Sequence, residues 1–186
     1  MRQAEIDIEK KLGHRKFRVL FTKDQIEERV KLLADSINKD FKDTNELVIV
    51  GVLKGSFIFI ADLVRHVTVP TRIEFIGVSS YSGKNSTGQV RLTHDFVSDI
   101  KGKDVLLIED IIDTGETIDF LIQNISHRGP GNLKIAALFS KPSKTKAIPF
   151  RIDYVGFLLT DEFVIGYGLD WDQRYRELPH IVELMD

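Results

Sequence analysis

Glu109 and Asp110 are adjacent carboxylates, and Asp113-Thr114-Gly115-Glu116-Thr117 follows close behind. Ionised carboxylates only accept hydrogen bonds, so a neighbouring pair suits sugar hydroxyls or a hard cation such as Mg²⁺. Thr114 and Thr117 bring hydroxyl donors, and Gly115 lets the backbone approach a ligand closely. Ahead of the acids stand Val105-Leu106-Leu107-Ile108, an unbroken apolar run typical of a strand buried on both faces. Behind the loop, Ile118, Leu121, Ile122 and Ile125 recur at helical spacing, so a helix start with its unpaired N–H groups would face a phosphate. Strand, acidic edge, small polar loop and helix thus meet at a strand's carboxyl end, where open parallel sheets bind ligands. Phosphate, hydroxyls and metal in one pocket describe a phosphorylated ribose. A plainer account makes Asp113 a helix cap, with Glu116 three residues on completing a capping box. That account leaves Glu109 and Asp110 without a role.

The stretch LLIEDIIDTGET resembles the phosphoribosyl-pyrophosphate motif of type I phosphoribosyltransferases, in the form of the hypoxanthine-guanine branch. The resemblance covers roughly Phe17 to the C-terminus, with several separate motifs in the family's order. It implies that Asp113 (through its N–H), Thr114, Gly115, Glu116 and Thr117 hold a 5′-phosphate, with only the Glu116 N–H facing it. Glu109 and Asp110 would bind ribose hydroxyls and order Mg²⁺, and Asp113 would be the base that takes the purine proton. The segment Leu53-Lys54-Gly55-Ser56 matches the family's pyrophosphate loop, although many relatives have a second Gly at Ser56. Lys54, Gly55 and Arg176 would hold pyrophosphate, Asp170 a second Mg²⁺, and Lys141, Phe163 and Val164 the purine. Relatives often carry a cis peptide before the Lys, which makes Leu53–Lys54 a candidate. Ser80 and Tyr81 would open a loop, Ser79 to Gly88, that closes over the site.

These residues need elements to position them. Phe17 to Phe21 reads as a short strand, and Thr22-Lys23-Asp24-Gln25 as a capping box starting a helix. Ile26, Val30, Leu33, Ile37 and Phe41 keep that helix's apolar face. Leu47 to Val52 is a second buried strand. It ends at Lys54, a place for function, although a solvated surface Lys is the ordinary alternative. An apolar helix follows through Val64. Arg72 to Val78, Val90 to Leu92, Leu133 to Phe139 and Tyr154 to Leu159 are further strands, and Gly129-Pro130-Gly131 stops the helix after the acidic motif. The small polar residues from Ser79 to Gly88 read as a long loop or a plain hairpin connection. Gly83 to Gly88 nearly matches a phosphate-binding P-loop, but Gln89 stands where Lys is required. Gly166-x-Gly168 lacks the third Gly of a dinucleotide fingerprint. Residues 1–16 read as a loose, charged arm. Phe163 offers a flat face for stacking, although an aromatic in an apolar run is by default a core residue.

The chain has 186 residues, 42% hydrophobic and 29% charged, with a net charge of −2 and no cysteine. That is comfortable for one domain, residues 1–186, and gives no electrostatic case for nucleic acid. Disulfide and thiolate chemistry are excluded, which fits a reducing compartment. The first residues lack a signal-peptide core, and the longest apolar stretch, Phe57 to Val64, contains Asp62 and is too short for a membrane. A cytoplasmic enzyme is expected. Its fold is α/β, a mainly parallel twisted sheet flanked by helices, and the resemblance adds a small hood from the N- and C-terminal segments. The resemblance further implies transfer of phosphoribose from 5-phosphoribosyl 1-pyrophosphate to N9 of a 6-oxopurine. Hypoxanthine, and by the same likeness guanine, would give a nucleoside monophosphate and pyrophosphate, in a homodimer or homotetramer. The competing readings are a non-catalytic sensor of the donor, a generic phosphosugar-binding domain, and a transferase for adenine, orotate or xanthine.

Overall fold

The computed structural model describes residues 2–80, 90–144 and 150–185, without the side chains of residues 2–5 and 80. Its larger sheet has six strands: β2 (Leu47–Leu53), β3 (Thr71–Ser80), β4 (Val90–His94), β5 (Asp104–Ile112), β6 (Asn132–Ser140) and β7 (Tyr154–Leu158). Their order is β4-β3-β2-β5-β6-β7, parallel throughout except at the β3–β4 edge. The apolar runs of β2 and β5 are explained by this central position. Along each strand successive side chains alternate between faces. Ile49, Leu106 and Ile108 pack with α2 (Lys23–Asp40) and α3 (Phe57–Leu63), while Val48, Val50, Val105 and Leu107 pack with α4 (Glu116–Ser126). Both faces are covered, so neither strand can afford a polar alternation.

Helix α2 begins where the capping box predicts. The Gln25 N–H donates to Thr22 Oγ1 at 3.3 Å, and the Thr22 N–H donates to Gln25 Oε1 at 2.9 Å. Such a cap contributes about 1 kcal/mol. Among the described residues no helix is long and apolar enough to cross a membrane.

A second, three-stranded sheet runs β1-β9-β8, with β1 (Lys16–Phe21), β8 (Val164–Ile165) and β9 (Ile181–Met185) antiparallel. Here the expectation of a loose arm over residues 1–16 is corrected, since Arg2–Leu12 form helix α1. Ile8 and Leu12 lie four residues apart and are buried against Ile165, Leu178 and Val182. Two apolar positions among charges are a weak periodic signal. What they cover comes from the other end of the chain, so the helix is defined by a tertiary contact.

Candidate active site

Strands β2, β5 and β6 run parallel, so their carboxyl ends lie at one edge of the sheet. The loops after them carry Lys54-Gly55, residues 113–115 and Lys141, with residues 116–117 opening α4. Strand β5 continues to Ile112, so Glu109 and Asp110 are part of the strand, not an edge following it, and Glu109 pairs with Ala137 of β6. Glu109 is buried, and its Oε2 has no hydrogen-bond partner among the described residues. Burial, and then the charge of Asp110 beside it, push the Glu109 carboxyl well above the usual carboxylate range. A buried acceptor of this kind is costly until a donor or cation reaches it.

A cavity of about 90 Å³ is lined by Glu109, Asp113, Thr114, Gly115, Thr117 and the apolar residues Ile111, Ile112 and Ile118. Gly115 takes φ 86° at the N-cap of α4, and the helix has no side-chain cap. The capping-box account of Asp113 and Glu116 is therefore overturned. Asp113 lines the cavity instead of capping the helix. Thr114 Oγ1 accepts from the Glu116 N–H at 3.5 Å. Glu116 is solvent-exposed and absent from the cavity wall.

On the other side of Asp110 lies the loop after β2. A Cβ on Gly55 would fall 1.4 Å from Asp110 Oδ2, so only glycine permits this approach. The Leu53–Lys54 peptide is cis. Ser56 is fully buried, and its hydroxyl donates to the Val52 carbonyl at 2.5 Å, so the loop accommodates this side chain. Gly168, at φ 101°, closes over the same loop, where an added Cβ would meet the Gly55 carbonyl oxygen at 2.0 Å. Arg176 donates to the Gly168 carbonyl at 2.6 Å and pairs with Asp170 at 2.7 Å. Asp170 also accepts from the Gln173 N–H at 2.8 Å, and Lys54 donates to the Gln173 side chain at 3.1 Å.

Lys141 is buried, donates to the Glu162 carbonyl at 2.9 Å, and stands 3.9 Å from an Asp113 carboxylate oxygen. That contact brings it beside Phe163, the next residue after Glu162. Phe163 is 53% exposed, which removes the core reading. It lines a cavity of about 370 Å³ with Arg15, Lys16, Trp171, Leu184 and Met185, distinct from the one at Asp113. The Val164 side chain is buried in the main core, and its backbone pairs with Glu183 of β9.

The structure thus joins Lys54, Gly55, Asp110, Gly168, Asp170 and Arg176 on one side, and Glu109, Asp113, Thr114, Gly115, Thr117 and Lys141 on the other. Ser80 ends β3 without a described side chain, and Tyr81 with the loop to Gly88 lies outside the described residues. Among the described residues no three or more Asp, Glu, His or Cys cluster as a metal cage, so Asp170 is not gathered with Glu109 and Asp110. Sequence reasoning missed Gln173 and Glu162, which orient the two lysines. It weighed Gly166-x-Gly168 only against a dinucleotide motif, whereas these glycines let backbone segments touch.

A model of the phosphoribosyl transferase domain matches residues 20–172. The chain is 44% identical over 172 residues to a hypoxanthine-guanine phosphoribosyltransferase of Dictyostelium discoideum, covering 90% of this chain and 95% of that one. A solved hypoxanthine-guanine phosphoribosyltransferase of Bacillus anthracis, with HEPES in its active site, is similar at TM-score 0.86 and 42% identity, over 92% of this chain and 100% of that one. The hypoxanthine phosphoribosyltransferase of Trypanosoma cruzi, in complex with its product IMP, is similar at TM-score 0.84 and 43% identity, over 93% and 96%.

Proposed function

The chain belongs to the phosphoribosyl transferase family, and from that premise we propose a purine-salvage reaction. Phosphoribose passes from 5-phosphoribosyl 1-pyrophosphate to N9 of hypoxanthine, and of guanine, giving IMP or GMP and pyrophosphate. The observation that carries this reading is the contact between Lys141 and Asp113 at the rim of the small cavity before α4. It sets a donor for a purine carbonyl beside a proton acceptor and a phosphate-sized hollow.

In this reading the N–H groups of residues 113–117 and the hydroxyls of Thr114 and Thr117 hold the 5′-phosphate. Glu109 and Asp110 accept from the ribose hydroxyls, which supply the donor that Glu109 Oε2 lacks. The C1′–pyrophosphate bond breaks and the C1′–N9 bond forms, while Asp113 takes the proton leaving the purine. Lys54, the Gly55 backbone and Arg176 receive pyrophosphate. Mg²⁺ fits this donor set, because it commonly takes one or two carboxylates together with substrate phosphates and water. Glu109 and Asp110 would hold it, Asp170 would face a second ion, and its chemistry is to neutralise pyrophosphate charge. The Phe163 ring stacks on the base, and the Lys141 ammonium donates to the oxygen at position 6. The small sheet serves as a hood in a one-domain, cytoplasmic enzyme that assembles as a homodimer or homotetramer.

The test is a product assay with labelled donor, Mg²⁺ and each of hypoxanthine, guanine, xanthine and adenine. Labelled IMP is expected. Tight donor binding without turnover of any base would instead identify a sensor.

A further inference from the structure

The two halves of the pyrophosphate end come from distant parts of the chain, and something must hold them in register. Lys54-Gly55 leads directly through Ser56 into α3. Arg176, Asp170 and Gln173 belong to a turn-rich segment starting at Gly166. That segment holds several backbone positions at positive φ, among them Tyr167 at 48°, Asp172 at 51° and Gln173 at 61°. A side-chain-bearing residue in this region persists only where its surroundings over-determine it.

Tyr167 is over-determined in this way. Its N–H donates to the Leu178 carbonyl at 2.7 Å, and its ring is 7% exposed within the main core. Its hydroxyl donates to Asp62 Oδ2 at 2.7 Å, two turns along α3 from the Lys54-Gly55 loop. The other oxygen of Asp62 accepts from Arg65 at 3.1 Å, which fixes the carboxylate. The residue after Tyr167 is Gly168, whose backbone lies on the Gly55 carbonyl and accepts from Arg176.

We propose that Tyr167 is a positioning residue for the pyrophosphate end of the donor, through a hydroxyl-to-Asp62 clamp that ties the 166–176 segment to α3. Tyr167 does not touch substrate. Its bond fixes the distance between Lys54-Gly55 on one side and Gly168, Asp170 and Arg176 on the other. Purine and 5′-phosphate are held elsewhere, by Lys141 and by residues 113–117, so loosening the clamp affects one ligand end and spares the others. A charge-assisted hydrogen bond has the strength for such a task, since it exceeds an ordinary one by about twofold. This inference rests on the reaction proposed above.

The experiment compares the wild type with Tyr167→Phe, Asp62→Ala and the double variant. In each, KM is measured for 5-phosphoribosyl 1-pyrophosphate and for hypoxanthine, and, in the reverse reaction, for pyrophosphate and for IMP. Tyr167→Phe keeps the ring and loses only the hydroxyl. KM for both pyrophosphate-bearing substrates is expected to rise roughly tenfold, with KM for hypoxanthine moving less than twofold. Asp62→Ala should produce the same split, and the double variant should be no worse than Asp62→Ala alone. Asp62→Asn keeps an acceptor for the hydroxyl and should recover most of the loss. Asp62 is half-exposed, so its variants supply the answer if Tyr167→Phe folds poorly. A lowered melting temperature with all KM values unchanged, or an equal rise for every substrate, would overturn the clamp. A wild type without turnover would instead sink the proposed reaction.

Discussion

In the proposed reaction two side chains carry the chemistry most directly, and each can be tested alone. Asp113 lines the cavity and does not cap α4, so its replacement costs the helix no cap. Asp113→Asn keeps the size and removes the proton acceptor. A positioned base contributes roughly 10²–10⁴ in rate, so kcat should fall by about that factor with an almost unchanged melting temperature. Near-normal kcat at saturating substrate would remove Asp113 from the chemistry. In the same proposal Lys141 governs the choice of base. Its ammonium only donates, which suits the carbonyl of hypoxanthine and meets the amino group of adenine with no acceptor. Sites that read a polar group discriminate by about 10⁴–10⁵ against an analogue lacking it. Hypoxanthine should therefore be used efficiently and adenine negligibly. Lys141→Met should lower kcat/KM for hypoxanthine strongly and leave adenine almost as poor as before. Equal wild-type rates for the two bases would contradict this placement of Lys141. Both residues were legible in the sequence because each directly follows a buried strand. The contact between them was not, since it spans the whole β5–α4–β6 crossover.

At the scale of elements, legibility followed how local the cause was. The apolar runs of β2 and β5 and the capping box of α2 are written within a few residues, and β2 and α2 formed where those residues indicate, while β5 ran on past its apolar run to Ile112. Helix α1 and the small sheet depend on partners from the opposite end of the chain. The ion pair of Arg18 with Glu183, at 2.7 Å, is one such link between β1 and β9. His180 is another. Its Nδ1 accepts from the Lys23 N–H at 2.9 Å, fastening the segment before β9 to the first turn of α2. Burial lowers the His180 pKa from its ordinary 6.5, and Lys23 adds to this while Asp24 opposes it. The unfolded chain therefore binds this proton more readily than the folded one. The contribution is present above the ordinary value and is lost as pH falls through it towards the lowered one. His180→Asn keeps an acceptor that cannot be protonated. Melting curves between about pH 5 and 8 should show the wild type losing a few degrees relative to this variant on the acid side, the size expected for one hydrogen bond. Parallel curves would mean that His180 does not titrate in this range.

Over the whole molecule, the order β4-β3-β2-β5-β6-β7 places β2 and β5 side by side and β6 next, so three loops reach one edge. That convergence follows from parallel strands and was legible from the alternation of apolar runs and helices. The approach of Gly168 to Gly55 was not legible, because two backbones touching leave no apolar pattern. Yet this approach unites the edge of the large sheet with the segment leading to the small one. A single donor molecule held by both should therefore order both. With 5-phosphoribosyl 1-pyrophosphate and Mg²⁺ bound, amide hydrogen exchange is expected to slow in three places at once: residues 54–56, 113–117 and 168–176. The amino ends of the strands, at Leu47, Asp104 and Asn132, should exchange as before, since they lie at the far edge. Inorganic phosphate alone should protect 113–117 without the other two, because it fills the hollow before α4 and reaches neither Lys54 nor Arg176. If the full donor also protected only 113–117, pyrophosphate would not bridge the two segments. The 54–56 and 168–176 backbones would then be joined for stability alone.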